Sequence, residues 1–326
     1  MLDADIGAYG PGLIWTGPLD NSLLEAMERL GAAELRLYRQ DDLPIDDLSI
    51  LSELKGLVGF SMSPSRRLVA RDWSVLEQLE QLRYLHLTND HASGRLHLDC
   101  FPQLQRLACA WWPGLRGLAE TQLSGLGLRK WKVGGDANGL PASLRVLDLT
   151  QGNSNPSNLF DKLPSLEYVG LALLRNAKHL RGLAACDELR ELSLVRMRSL
   201  EQIDAADLPA TLQTILVEDC PKVADLDVSA LSRLRGLFVV GDTGLRSENL
   251  KLPDHPQLKH VSVPSTRALS GVECRRSDDR SYGTPPSYAY RAPGIRRYQD
   301  IVRAQYARTH LYPAWLREEH PELCIE

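Results

Sequence analysis

A six-residue phrase, apolar-x-x-apolar-x-apolar, returns eleven times along this chain, starting at Ala32, Leu54, Leu82, Leu104, Leu123, Leu144, Leu166, Leu189, Leu212, Leu234 and Leu258. Successive starts lie 22, 28, 22, 19, 21, 22, 23, 23, 22 and 24 residues apart. The cleanest copies read LRYLHL (82–87), LRVLDL (144–149), LRELSL (189–194) and LKHVSV (258–263). A unit this short cannot bury an apolar face alone, so copies must stack on one another around one continuous core. Positions four and six of each phrase have strand period and point to one side. Positions three, five and seven then share the other side. Parallel strands stack about 4.8 Å apart. The bulkier return segments make such a stack bend with its strands inside.

The spacing resembles the leucine-rich repeat family over residues 30–265. The resemblance implies an α/β solenoid: a horseshoe with a parallel concave β-sheet, an irregular or 3-10 convex side, and helical N- and C-terminal caps. The family's ninth position is usually Asn or Cys. Here it holds Gln40, Met62, Asp90, Trp112, Trp131, Gly152, Leu174, Met197, Cys220, Asp242 and Thr266. Only Cys220 matches, with Asp90 and Asp242 as imitations of Asn, so the turn geometry should vary between repeats. The copy at Leu54 is weak because Gly59 falls on a core position, and the long gap after it predicts a loop near Ser61–Arg71. Leu140-Pro141, Phe101-Pro102, Leu163-Pro164, Leu208-Pro209 and Leu252-Pro253 precede strands, where proline halts a helix and sets an extended entry. Short helical or 3-10 turns are expected at Val75–Leu82 and Val228–Leu234.

Three segments follow from this reading. Residues 1–31 form an N-terminal cap, with a helix over 19–31 begun by Asn21 or Ser22, striped by Leu23, Leu24 and Met27, and ended by Gly31. Residues 32–270 hold about eleven repeats. Residues 271–326 form a C-terminal arm and helical cap. Its first part is rich in Pro, Ser and Arg, helical spacing follows at Ile295, Tyr298, Ile301, Val302 and Tyr306, and six of the ten tyrosines lie there.

The net charge of −4 gives no sequence-wide attraction to nucleic acid or to an anionic membrane. No run approaches the roughly 18 apolar residues of a membrane span. The N-terminus lacks the basic start and apolar run of a signal peptide, so a cytoplasmic location is expected. Thirty arginines against eight lysines suggest GC-rich, bacterial coding. The six cysteines form no C-x-x-C and read as small buried hydrophobes.

Motifs for zinc hydrolysis, for a nucleophilic serine elbow and for a P-loop are all missing. Gly134-Gly135-Asp136-Ala137-Asn138-Gly139 lacks the P-loop lysine and reads as a loop. His86, His91 and His97, with Asp90, Asp99 and Cys100, match no standard metal spacing. LPASLRVLDL (140–149) and LPATLQTILV (208–217) are similar to the repeats of bacterial ubiquitin ligases. Those enzymes need a large helical domain with a nucleophilic cysteine, and the 56 residues after 270 are too few. No catalysis, cofactor or metal is expected.

The outward strand positions are therefore the candidate site. Arg36, Tyr38, Tyr84, His86, Arg106, Trp111, Arg129, Tyr168, Glu191, Arg196, Glu218, Phe238 and His260 are its partner-binding candidates. Tyr, Trp and Arg dominate interface hot spots because they combine large contact area with directed donors. Gly125, Gly127, Gly170 and Ala172 suggest a shallow depression flanked by Trp111 and Tyr168. Mixed charge favours a protein or peptide partner, bound by a chain that is monomeric when free. An immunity or inhibitor protein is the expected role. The alternative is a secreted effector or adaptor whose tail (271–326) recruits or contributes an enzymatic activity.

Overall fold

A computed structural model describes residues 3–7, 10–38, 47–63, 73–87, 94–131, 139–153, 155–252, 258 and 260–262. The chain forms two compact units, the first reaching Arg129 with 138–144 added, the second holding 130–137 and everything from Arg145.

In the first unit the order is β1 (Asp3–Gly7), β2 (Gly10–Trp15), α1 (Asn21–Leu30), β3 (Glu34–Tyr38), β4 (Gly59–Ser63), β5 (Tyr84–Leu87), β6 (Leu96–His97), β7 (Arg106–Ala110), β8 (Leu115–Arg116) and β9 (Gly125–Arg129). β1 pairs antiparallel with β2, after which β2, β3, β4, β5, β7 and β9 run parallel. The short β6 and β8 pair with each other in the return segments.

In the second unit the order is β10 (Val146–Thr150), α2 (Ser157–Phe160), β11 (Tyr168–Ala172), β12 (Glu191–Val195), β13 (Gln202–Ile203), β14 (Thr214–Cys220), β15 (Asp225–Asp227), β16 (Gly236–Thr243), β17 (Leu250–Lys251) and β18 (His260–Ser262). β10, β11, β12, β14, β16 and β18 form a parallel ladder. The short β13, β15 and β17 form a second one behind it.

The register follows the phrase. Position three aligns with position three, as in Tyr84 with Arg106 and Tyr168 with Glu191. Positions four and six are sealed: Leu85, Leu147, Leu149 and Leu194 have no exposed surface. Position one closes the same core through Leu82, Leu144, Leu166 and Leu189.

One repeat is framed differently from the sequence expectation. Gly59 aligns with Glu34, Phe60 with Leu35 and Met62 with Leu37. The phrase thus starts at Leu57, Gly59 faces outward, and Phe60 and Met62 are the core pair. Starts at 32, 57 and 82 are evenly spaced, so the gap of 28 disappears. The ambiguity has a physical source. Leu48, Leu51, Leu54 and Leu57 are joined by successive i→i+3 hydrogen bonds of 2.9–3.0 Å. A 3-10 turn repeats every three residues and so copies the first interval of the phrase. Ser61 to Ser63, expected in a loop, belong to β4, and 64–72 lie outside the described residues.

The same three-residue step builds other return segments. Trp73, Leu76, Leu79 and Leu82 form one chain of such bonds, and Leu180, Leu183, Cys186 and Leu189 another. At Val75–Leu82 this gives the expected 3-10 turn, over Leu76–Gln78. At Val228–Leu234 the bonds from Leu231 to Val228 and from Leu234 to Leu231 persist, as turns without a helix.

The expected N-terminal helix is α1, and its cap is Asp20, whose Oδ1 accepts from the Ser22 N–H at 2.9 Å. Gly31 ends it in the left-handed region, at φ +57°, where glycine carries no Cβ penalty. Leu23, Ala26 and Met27 are its buried face. The helix does not end the array. It joins β2 to β3, and β2 aligns Leu13 with Leu35 and Trp15 with Leu37. A further repeat thus precedes Ala32, hidden because Gly10 stands at its first position. The expected C-terminal arm and cap at 271–326 lie outside the described residues.

Candidate functional site

In the first unit, the outward third row runs Gly12, Glu34, Gly59, Tyr84, Arg106 and Gly125, beside a fifth row of Ile14, Arg36, Ser61, His86, Ala108 and Gly127. Outward does not mean exposed here. Glu34 is 2% and Arg106 7% accessible. Glu34 lies across Gly59, whose missing Cβ would stand 2.7 Å from Glu34 Cγ. Arg36 Nη2 approaches Glu34 Oε2 at 3.9 Å.

His86 is the centre of this group. Its Nδ1 lies 3.1 Å from Ser61 Oγ, and its ring centroid 6.3 Å from that of Tyr84. Burial, then the charges of Arg129 and Arg36, push its pKa down to about 4. It is therefore neutral at pH 7. The site presents cations (Arg36, Arg129) around an uncharged imidazole and a tyrosine.

In the second unit, Tyr168 is 6% accessible. A Cβ on Gly170 would stand 2.6 Å from Tyr168 Oη and 3.2 Å from Asp148 Cγ, so the ring fills the space over Gly170. Sequence reasoning expects Tyr168 to flank a depression there; at Gly170 it occupies that space. Phe238 covers Gly236 in the same manner but stays half-exposed. Glu191 is half-buried at position three, and Glu218 is 7% accessible at position seven. Tyr38 and His260 lie in β3 and β18, with side chains outside the described residues.

Trp111 and Arg196 stand at position eight, past the strand ends. Position eight is the feature that sequence reasoning missed. Lys130 (φ +56°), Gln151 (+59°), Leu173 (+56°), Arg196 (+52°) and Asp219 (+49°) are left-handed in successive repeats, and Gly241 (+73°) follows. The turn aims each backbone N–H at the next repeat: Lys130 to Thr150 O at 2.8 Å, Gln151 to Ala172 O at 2.9 Å, Leu173 to Val195 O at 3.0 Å, Arg196 to Glu218 O at 2.7 Å. Position nine then turns inward as packing: Trp131, Leu174, Met197 and Cys220 are buried, Trp112 is too, and it sits 6.3 Å from Trp73 in the first unit.

A left-handed conformation costs an ordinary residue about 1–2 kcal/mol. Gln151 is exposed, and its backbone bond survives substitution. Gln151→Gly is therefore expected to stabilise the fold by about 1 kcal/mol, after glycine's own unfolded-state entropy is subtracted. Scanning calorimetry should show a rise of roughly 2 °C, and an unchanged or lower Tm would refute the strain at this turn.

The position-eight side chains wall a cleft of about 530 Å³ in the second unit. Lys130, Gln151, Leu173 and Arg196 line it with Trp131 and Leu174 from position nine and Asn153, Arg175 and Arg198 from position ten. Arg196 Nε also lies 3.6 Å from Asp219 Oδ2.

The remaining histidine and cysteine readings can be placed. His97 gives both its backbone N–H and Nδ1 to Glu77 Oε1, at 2.7 and 3.0 Å, in the return segments, apart from His86; His91 lies outside the described residues. Among the described residues no three metal-ligating side chains come together. Burial raises the Cys109 and Cys186 thiols to about 12 and Cys220 to about 11, so they are packing groups at neutral pH. No helix among the described residues is long and apolar enough to cross a membrane.

No family model and no curated protein matches the chain. Among solved structures, the functional domain of InlJ from Listeria monocytogenes, which includes a cysteine ladder, is similar at 15% identity and a TM-score of 0.42, over 71% of this chain; the chain spans 57% of that domain. An internalin, InlF, from the same species is similar at 18% identity and TM-score 0.42, covering 73% of this chain and 75% of that one. A leucine-rich repeat protein of Leptospira interrogans is similar at 17% identity and TM-score 0.37, covering 71% and 70%. What defines the fold is the chain's own repeat: in-register phrases feeding parallel strands, joined by 3-10 and turn segments, are the leucine-rich repeat fold.

Proposed function

We propose that this chain is a non-catalytic protein-binding module that presents its partner with the outward positions of its parallel strands. The observation that carries the reading is the mixture on those rows. Half-exposed Arg36, Tyr84, His86 and Arg129 in one unit, and Glu191 and Phe238 in the other, stand among Gly, Ala and Ser. Each is fixed on a ladder strand, so little backbone or loop entropy is lost on contact, and Arg and aromatic groups supply most hot-spot energy. A surface that binds without turnover suits an inhibitor, and an immunity protein that occludes a toxin is the specific role we favour. The adaptor reading rests on the sequence of residues 271–326.

The test is affinity capture from lysate of the source organism, with mass spectrometry. Wild type is compared with Tyr84→Ala/Arg129→Ala and with Glu191→Ala/Phe238→Ala, after circular dichroism verifies folding. Tyr168 is left intact because it packs over Gly170. For a captured protein, each pair is expected to weaken binding about 10–100-fold. A partner held equally by both variants would remove the strand face from consideration. A partner lost only after truncation at residue 270 would favour the adaptor.

A further inference from the structure

We propose that the cleft at position eight of the second unit is a docking groove for an acidic, extended peptide segment of a protein partner. It is separate from the strand face, and the proposal does not depend on that face being a binding site.

Among the described residues, every ionisable group lining the cleft is a cation: Lys130, Arg175, Arg196 and Arg198. No described carboxylate lines it, although the whole chain is net negative at −4. Asp219 meets Arg196 but is not part of the wall. The exposed Arg175 and Arg198, standing beside Lys130 and Arg196 in an otherwise acidic chain, favour an anionic occupant.

The rest of the lining narrows the chemistry. Gln151 and Asn153 carry both donors and acceptors, which suit a peptide backbone. Leu173 gives an apolar wall, with Leu174 and Trp131 beneath. Trp131 is only 4% accessible, so its ring offers no face for a base to stack on, and stacking is what single-stranded nucleic acid needs. The volume of about 530 Å³ suits a short segment. Strand spacing of about 4.8 Å puts Lys130 and Arg196 about 14 Å apart, the reach of four extended residues at about 3.3 Å each. Acidic side chains two apart along such a strand face the same way, with apolar side chains between them.

Backbone strain adds an independent argument. Lys130, Gln151, Leu173 and Arg196 are all left-handed, as is Asp219 beside the wall, while Gly241 makes the same conformation at the equivalent position without a side chain. The ladder of backbone bonds does not use these four side chains. Strain kept where a less strained residue would close the same turn is the pattern of a working surface.

The probe is a fluorescein-labelled, acetylated Glu-Leu-Glu-Leu-Glu peptide, followed by anisotropy with the full chain. Comparison probes are Gln-Leu-Gln-Leu-Gln and a five-nucleotide oligothymidine. The acidic peptide is expected to bind, to weaken with added salt, and to exceed the glutamine peptide by about tenfold or more. Arg175→Glu/Arg198→Glu, both exposed positions, should lose about tenfold or more with an unchanged circular dichroism spectrum. Arg29→Ala, an exposed position on α1 in the other unit, should bind as wild type. Absence of binding, equal binding of the two peptides, full binding by the double variant, or preference for the oligonucleotide would each overturn the proposal. Capture through the strand face could succeed or fail without changing any of these results.

Discussion

Between pH 6.5 and pH 4 the folded chain is expected to lose about 3 kcal/mol of stability through His86 alone. An unfolded histidine takes up its proton near pH 6.5, whereas folded His86 refuses one until about pH 4. Burial is the main cause, and Arg129 and Arg36 add to it. Above pH 6.5 the residue is neutral in both states and contributes no slope. Below it, the unfolded state binds the extra proton, and each pH unit costs the fold about 1.4 kcal/mol. The loss levels off once the pH passes about 4, where folded His86 protonates too. Asp47 and Asp227 also have lowered pKa values, starting from 3.8, so their losses fall below this window. Urea midpoints at pH 7, 6, 5 and 4.5 would show the effect. His86→Gln keeps a polar partner for Ser61 and removes the titration, so its curve should be flatter over the same range. Parallel curves for the two proteins would show that His86 does not carry the pH dependence.

What the sequence made legible follows from how strongly each feature is written in residue type. The pairs Leu147/Leu149 and Leu192/Leu194 announce their strands because two leucines at strand period need a core. Leu54 misleads because Leu48, Leu51, Leu54 and Leu57 recur at the 3-10 period, which shares its first interval with the phrase. β2 is silent because Gly10 replaces the leading leucine.

The left-handed turn was hidden for a different reason. Asp219 and Gly241 are residues that advertise it, but Lys130, Gln151, Leu173 and Arg196, in the four repeats before them, do not prefer that conformation. Missing the turn meant missing the cleft, since positions eight and ten fall past the last strand residue. It also left position nine unexplained, where the expected asparagines gave way to Trp131, Leu174 and Met197. On the strand face, the outward direction of Glu34, Arg106 and Tyr168 was legible, but their burial was not. For Glu34 and Tyr168 it depends on neighbouring glycines, Gly59 and Gly170, which let large side chains lie flat across them.

Gly152→Val is expected to destabilise the second unit by about 3 kcal/mol, at the upper end of the cost of overpacking. Gly152 is the ninth residue of its repeat, between the bulky Trp131 and Leu174. A Cβ there would stand 2.8 Å from the Trp131 carbonyl oxygen and 3.0 Å from Leu174 Cδ2. Leu174 can turn away, but the Trp131 oxygen belongs to the backbone that follows Lys130 and its bond to Thr150. Gly152 O also accepts from Arg175 N–H at 3.0 Å, so displacing it weakens the next turn. Urea unfolding should show a lowered midpoint for Gly152→Ala and a lower one for Gly152→Val. Leu174 is itself fully buried, so adding Leu174→Ala relieves the side-chain contact but opens a cavity, and the double variant should be no more stable than Gly152→Val. Trp131 and Leu174 line the cleft, and the shift should also weaken the acidic peptide. A Val variant as stable as wild type would mean that position nine is not the packed row described here, and that the floor of the cleft is set by other residues.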